Sequence, residues 1–213
     1  LPFSYPYIIS FDCYFSCLRG IIRSTLKEGE SRVEKSATKE LLSWIKSFFI
    51  AFIIVILVQK FLISPTTVYG ESMEPTFSDN DRIIIGKNTS IERFDIIVFD
   101  APKSKDYYIK RVIGLPGDKV EMKNDELYIN GKKYNEPYLD KIKKSHKYRK
   151  ITEDFTLEEL TGETIVPKDS LFVLGDNRLV SYDSRQFGFI SFDSVIGEVK
   201  FQFFPFNEIG IRK

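Results

Sequence analysis

The segment VYGESMEPT, Val68 to Thr76, places Ser72 nine positions beyond Ile63, where a long apolar run ends. Taken alone it reads as a turn, because Gly, Ser and Pro favour turns through φ freedom, local hydrogen bonding and a preset φ. Its neighbours change that reading. An apolar run long enough to cross a membrane precedes it, and short strand-like motifs follow it.

The preceding run is Leu41 to Ile63, LLSWIKSFFIAFIIVILVQKFLI, and a helical span needs about 20 residues. Lys46 and Lys60 interrupt it. Their fourteen positions correspond to about 21 Å along a helix, so in a hydrocarbon layer of about 30 Å each need reach only about 5 Å, which snorkelling covers. A helix apolar on every side does not fit the core of so small a domain. A cleavable signal peptide is disfavoured by the late start, the excess length and the lack of a small-x-small site before Ser72. Arg19, Arg23, Lys27, Arg32, Lys35, Lys39 and Lys46 crowd the N-terminal flank. The positive-inside rule then makes residues 1–40 a cytoplasmic segment, poorly ordered, and puts the domain carrying Ser72 outside the plasma membrane. Nine residues reach at most about 30 Å, so Ser72 is expected near the outer leaflet.

The 213 residues are 43% apolar and 29% charged, enough for one or two globular units. A net charge of +1 gives no electrostatic case for nucleic acid. Cys13 and Cys17 both precede the span, which excludes a disulfide framework or Cys-rich metal site from the main domain. The single histidine, His146, sits in DKIKKSHKYRK, a solvated context unsuited to a Ser-His-Asp triad.

Beyond Thr76 short β-like runs alternate with turn residues: 82–86, 95–99, 107–113, 120–122, 127–129, 171–174 and 196–204. Asn130-Gly131 is a hairpin signal, since a type I′ turn needs positive φ at both central positions. The more polar, lysine-rich stretch 119–169 reads as a smaller β lobe inserted between 64–118 and 170–213. The expected fold is therefore mainly β: an antiparallel external domain with an inserted lobe, preceded by one transmembrane α-helix, residues 41–63. Phe201, Phe203, Phe204 and Phe206 near the C-terminus are core by default, or dip into the membrane interface.

A serine attacks an amide only if a base takes its proton, and with His146 unsuitable the candidates are carboxylates and lysines. A lysine must fall from about 10.4 to about 7–8, which destabilises the ammonium by about 3–5 kcal/mol and demands an apolar setting. On a strand, Lys110 shares a face with Tyr108 and Val112, whereas Ile109, Arg111 and Ile113 point the other way. Arg111 is then an outward partner for carboxylates. The alternative has Lys110 facing solvent and Arg111 inward, and alternation does not choose. Asp176, Asn177, Ser181, Asp183 and Arg185 read first as a polar loop.

Three downstream stretches, DIIVF (95–99), KRVIGLPGD (110–118) and GDNRLVSYDSRQFG (175–188), follow the SM-x-PT segment in order behind one span. This set resembles the type I signal peptidases, membrane-bound Ser/Lys endopeptidases that remove signal peptides, over roughly Leu41 to the C-terminus. The resemblance implies Ser72 as nucleophile and Lys110 as general base. Ser181 would orient the lysine amine by a hydrogen bond, and Asp183 and Arg185 would hold the wall of the site, with Asp176 and Asn177 supporting. The Ser72 backbone N–H would stabilise the oxyanion; Gly70 stands where some members add a hydroxyl, and Leu179 and Val180 where some carry Asp-Asn.

The same resemblance implies substrate binding by strand addition, with small residues at positions −1 and −3. Val68, Met73, Phe77, Tyr108 and Ile109 are the matching wall positions, ordinary core packing being the competing explanation for each. Neither metal nor organic cofactor is implied. The partners are signal peptides of preproteins presented at the membrane by the export machinery, and the lipid bilayer. Two rivals stand beside this reading. Self-cleaving SOS-response repressors share the Ser/Lys logic but are cytosolic and bind DNA, which the span opposes. A non-catalytic anchored binding module would not need both Ser72 and Lys110.

Overall fold

Helix α1, Lys39–Phe61, opens the computed structural model, which describes residues 39–87 and 89–211. Its 23 residues rise about 35 Å, and its apolar side chains, Trp44, Phe48 and Phe52 among them, are exposed. The reading of residues 1–38, including Cys13 and Cys17, lies outside the described residues. The boundaries shift slightly from the expected ones. Lys39 and Glu40 already belong to α1, and Ile63 pairs with Gly86 in a strand instead of closing the span. Pro65 accounts for the stop, because the residue before a proline is driven from the helical region and proline offers no N–H to continue the ladder.

Eleven strands follow among the described residues: β1 (Ile63–Thr67), β2 (Arg82–Gly86), β3 (Ile96–Asp100), β4 (Tyr107–Gly114), β5 (Val120–Lys123), β6 (Glu126–Ile129), β7 (Lys132–Tyr134), β8 (Phe155–Thr156), β9 (Ser170–Leu174), β10 (Ile190–Ser191) and β11 (Val195–Phe204). They form an antiparallel seven-stranded sheet, order β1-β2-β11-β3-β4-β9-β10, and a four-stranded one, order β7-β6-β5-β8. Pro65 is tolerated in β1 because β1 is an edge strand. Asn130 and Gly131 have φ of 53° and 76° and turn β6 into β7, the hairpin expected from their identities.

Residues 120–161 hold more than strands. Helix α2 (Asp140–Ser145) forms inside the lysine-rich stretch, and α3 (Leu157–Thr161) is opened by a Thr156–Glu159 capping box and closed by Gly162 at φ 79°. The basic loop that sequence reading treated as merely solvated is thus partly helical. Such short helices leave little periodic signal.

The two sheets share a core. Ile113, Phe172 and Leu174 of the large sheet pack with Val120, Met122, Leu127, Ile129 and Phe155 of the small one, each buried side chain contributing about 1.5–3 kcal/mol. Gly114 marks a close approach: a Cβ there would lie 2.8 Å from Val166 Cγ2 and 2.9 Å from Val120 Cγ2. A second core, containing Val68, Met73, Phe77, Ile83, Ile85, Ile96, Val98, Ile109 and Val199, lies beneath the Ser72 turn.

Candidate active site

Ser72 is held by the packing of its neighbours. Met73 and Phe77 are buried in the core, and consecutive turns (Glu74 N to Glu71 O, 3.1 Å; Thr76 N to Met73 O, 2.9 Å; Phe77 N to Met73 O, 3.0 Å) carry the chain between them. Gly70, at φ 83°, sets the entry angle, and its N–H donates to Asp79 Oδ1 at 2.8 Å. On the other side, Asn177 donates from its backbone N–H to the Ser72 carbonyl (3.1 Å) and from its side chain to the Glu71 carbonyl (3.1 Å). Ser72 is left half-buried with its backbone pinned from both sides.

Strand β4 delivers Lys110 to this serine. Pairing with Ile97 of β3 fixes its register, and Nζ lies 2.8 Å from Ser72 Oγ while donating to the Ile109 carbonyl at 2.9 Å. Lys110 is 4% exposed. Burial pulls its pKa down to about 8, against the opposing pull of Asp183 and then Asp176. Tyr108 stands 5.4 Å from the amine and meets Tyr182 edge-on at 6.4 Å.

Arg111 does not point outward. It is 0% exposed, donating from Nε to Asp176 Oδ1 (2.9 Å), from Nη2 to Asp176 Oδ2 (2.6 Å) and from Nη1 to the Phe94 carbonyl (2.9 Å). The expected carboxylate partner exists, but inside the protein. From Ile109 onward every residue of β4 is buried, so alternation assigns a face without telling inside from outside. Thr76 Oγ1 adds a hydrogen bond to Asp176 Oδ2 at 2.5 Å.

The 175–188 stretch closes around the pair. Asp183 caps helix α4 (Ser184–Phe187), accepts the Gly175 N–H at 3.0 Å and is gripped by Arg185 Nε at 2.8 Å and Nη2 at 2.9 Å. A Cβ on Gly175 would fall 2.1 Å from Ser181 Oγ and 2.5 Å from the Ser72 carbonyl oxygen, so only glycine fits. Ser181 is buried against that glycine, but its hydroxyl makes no hydrogen bond among the described residues. The expected bond from Ser181 to the Lys110 amine is absent, since Nζ is turned to Ser72 Oγ and the Ile109 carbonyl.

A cleft of about 950 Å³ runs past Ser72 and Lys110. Val68, Tyr108 and Ile109 line it as expected, but Met73 and Phe77 do not; they belong to the core below. Ile83, Val98, Val180 and Tyr182 line it without having been expected as wall positions; for Ile83 and Val98, strand alternation was the available signal. The cleft lies between β1, an edge strand, and the part of β4 before pairing with β9 begins at Arg111. Because β2, β11 and β3 separate these strands in the sheet, the sheet must curl for both to border one cleft. His146 closes α2 and is not among the lining residues. Among the described residues no three His, Cys, Asp or Glu side chains are grouped to hold a metal.

A lysine desolvated against a serine hydroxyl, in an open cleft bordered by unpaired strand edges, is the kind of site found in serine endopeptidases that act on extended chains. The family model described as "Signal peptidase, peptidase S26" matches residues 41–204. Signal peptidase IB of Staphylococcus aureus is 49% identical over 178 residues, 80% of this chain and 93% of the relative. Signal peptidase I of Bacillus caldolyticus is 47% identical over 169 residues, 78% and 92% of the two chains. A crystal structure of a signal peptidase I from Enterococcus faecalis superposes with a TM-score of 0.50 at 48% identity, covering 52% of this chain and 97% of that one. This chain belongs to the signal peptidase family, peptidase S26, and is a serine endopeptidase. With α1 it is a membrane-anchored one.

The buried lysine has a consequence for stability. Below pH about 8 Lys110 is protonated in both the native and unfolded states, and burial costs the native fold the full difference from 10.5, about 3 kcal/mol. Between about 8 and 10.5 the unfolded chain holds more protons, so stability rises with pH. Lys110→Met is therefore expected to be more stable than the parent at pH 7, by up to about 3 kcal/mol, with the gap closing above pH 10. Denaturant titration at the two pH values measures it.

Proposed function

We propose that the chain cleaves N-terminal signal peptides from exported preproteins, with Ser72 as nucleophile and Lys110 as general base. The 2.8 Å contact between Ser72 Oγ and a Lys110 amine shifted to about 8 carries this reading. About a tenth of such amines are neutral at pH 7. As Ser72 Oγ bonds to the scissile carbonyl carbon, its proton passes to Lys110 Nζ; the resulting ammonium protonates the leaving amine as the C–N bond breaks. Lys110, neutral again, takes a proton from water as the water oxygen attacks the Ser72 ester, and returns it to Ser72 Oγ. The Ser72 backbone N–H is the oxyanion donor in this scheme, and Gly70 contributes no side-chain hydroxyl.

Substrate enters as an added strand between β1 and β4. Because side chains of a strand alternate, positions −1 and −3 fall on one face. The floor formed by Val68, Ile83, Val98 and Ile109 then favours small residues at both. The Lys and Arg excess before Leu41 supports an N-in orientation in the plasma membrane, with the catalytic domain outside and substrate delivered by the export machinery. Protease added to intact spheroplasts should digest the domain. Protection of the domain with cleavage of residues 1–38 would reverse the topology.

Lys110→Arg keeps the charge but has no accessible neutral form, so it should abolish cleavage of a preprotein in detergent, as should Ser72→Ala. In the native enzyme the rate should rise with pH through a midpoint near 8, because only the deprotonated amine accepts the serine proton. Retained turnover in a folded Lys110→Arg variant excludes this mechanism.

A further inference from the structure

We infer that Glu136 and Tyr138, on the lobe between the two halves of the large sheet, are positioning residues for Ser72. They hold Arg178 in place, and Arg178 holds the turn that grips the nucleophile. The inference rests on Ser72 being the nucleophile.

The geometry forms a continuous path. Arg178 is buried, and its Nη2 donates a short hydrogen bond to Glu136 Oε1 and lies 3.4 Å from the Tyr138 hydroxyl. The Tyr138 hydroxyl donates to the same Glu136 oxygen at 2.7 Å. From its other side Arg178 donates through Nε to the Gly175 carbonyl at 3.0 Å. Gly175 has no room for a side chain, because a Cβ there would meet the Ser72 carbonyl, and Asn177, two residues on, donates its N–H to that carbonyl. Glu136 is thus linked to the Ser72 backbone through one guanidinium and one tight turn.

Tyr138 also couples this path to the second buried pair. Its ring centroid lies 3.9 Å from Arg111 Cζ, and Arg111 clamps Asp176 in the same turn. Burial works against the Arg178 charge, but its neighbours, Glu136 foremost among them, together outweigh that burial and hold the pKa above the ordinary arginine value. Burial pushes the Tyr138 phenol well up, so it stays a donor. The lobe side is itself anchored: Pro137 opens a 3₁₀ turn to Leu139, which is fully buried, with Glu136 and Tyr138 on either side of the proline.

Stability alone does not call for such an arrangement, since buried ion pairs are often matched by apolar residues of similar volume. What the charged path supplies is direction, fixing one backbone carbonyl beside the reacting serine. A misplacement of about 1 Å at a reacting group costs about a hundredfold in rate. Glu136, Tyr138 and Arg178 are not among the residues lining the cleft, so their replacement is expected to act on the position of Ser72 more than on substrate affinity.

The test uses the full-length protein in detergent with a peptide spanning a signal-peptide cleavage site, measuring kcat, KM, the pH midpoint and thermal unfolding. Glu136→Gln is expected to lower kcat by about 30–100-fold, and Tyr138→Phe by about 3–10-fold, with KM within about twofold and the pH midpoint retained. Glu136→Asp, which keeps the charge, should recover part of the loss. A merely structural role would lower the melting temperature but leave kcat per folded molecule at the parent value. If Glu136→Gln does not fold, Tyr138→Phe decides alone. Parent-like kcat in the folded variants, with Ser72→Ala inactive, overturns this inference alone. Cleavage by Ser72→Ala overturns the nucleophile reading and this inference with it.

Discussion

The site depends on removing one ammonium group from water. Lys110 on β4 lies where the core beneath Ser72 meets the aromatic side chains of Tyr108 and Tyr182, and burial there lowers its pKa to about 8 despite Asp183 and Asp176. On the proposed mechanism, the same burial that makes the amine a usable base makes the fold less stable below that pH. The surrounding structure brings the serine and the cleft to that amine. The curled sheet brings β1 and β4 to one cleft, Met73 and Phe77 peg the serine turn into the core, and Gly175 lets the 175–178 turn approach Ser72 where no side chain would fit.

Among the described residues two further cations are buried close by, and they are compensated in a different way. Arg111 and Arg178 each meet a carboxylate in hydrogen-bonded contact, Asp176 and Glu136, and each holds a backbone carbonyl, that of Phe94 and that of Gly175. Removing one partner from such a pair typically costs about 3–5 kcal/mol. Lys110 has no such carboxylate in contact: its nearest partners are a hydroxyl and a carbonyl. Paired charges fix geometry while the unpaired one remains free to lose its proton.

The sequence made the fold class, the span, the Asn130-Gly131 hairpin and the family resemblance legible, because each depends on local pattern: apolar length, alternation, turn chemistry and the order of short motifs. It left Arg111 ambiguous, because both faces of β4 are covered and period-two alternation cannot report that. It placed Met73 and Phe77 in the cleft, one layer above their actual position in the core. Tyr138 and Glu136 were invisible as parts of the site, since they lie about forty positions from Arg178 and nothing in the NEPYL segment signals a distant guanidinium. Ser181 was expected to reach the lysine amine, and the Lys110 rotamer that instead selects the Ile109 carbonyl is set by tertiary packing.

The most direct measurement is a titration of the lysine amines by NMR, using protein labelled at the lysine side chains, with Lys110→Met to assign the resonance. One amine should titrate near pH 8, and its signal should vanish in the variant. If every lysine titrates near 10.5, Lys110 is solvated, and a neutral lysine beside Ser72 cannot be the basis of the site.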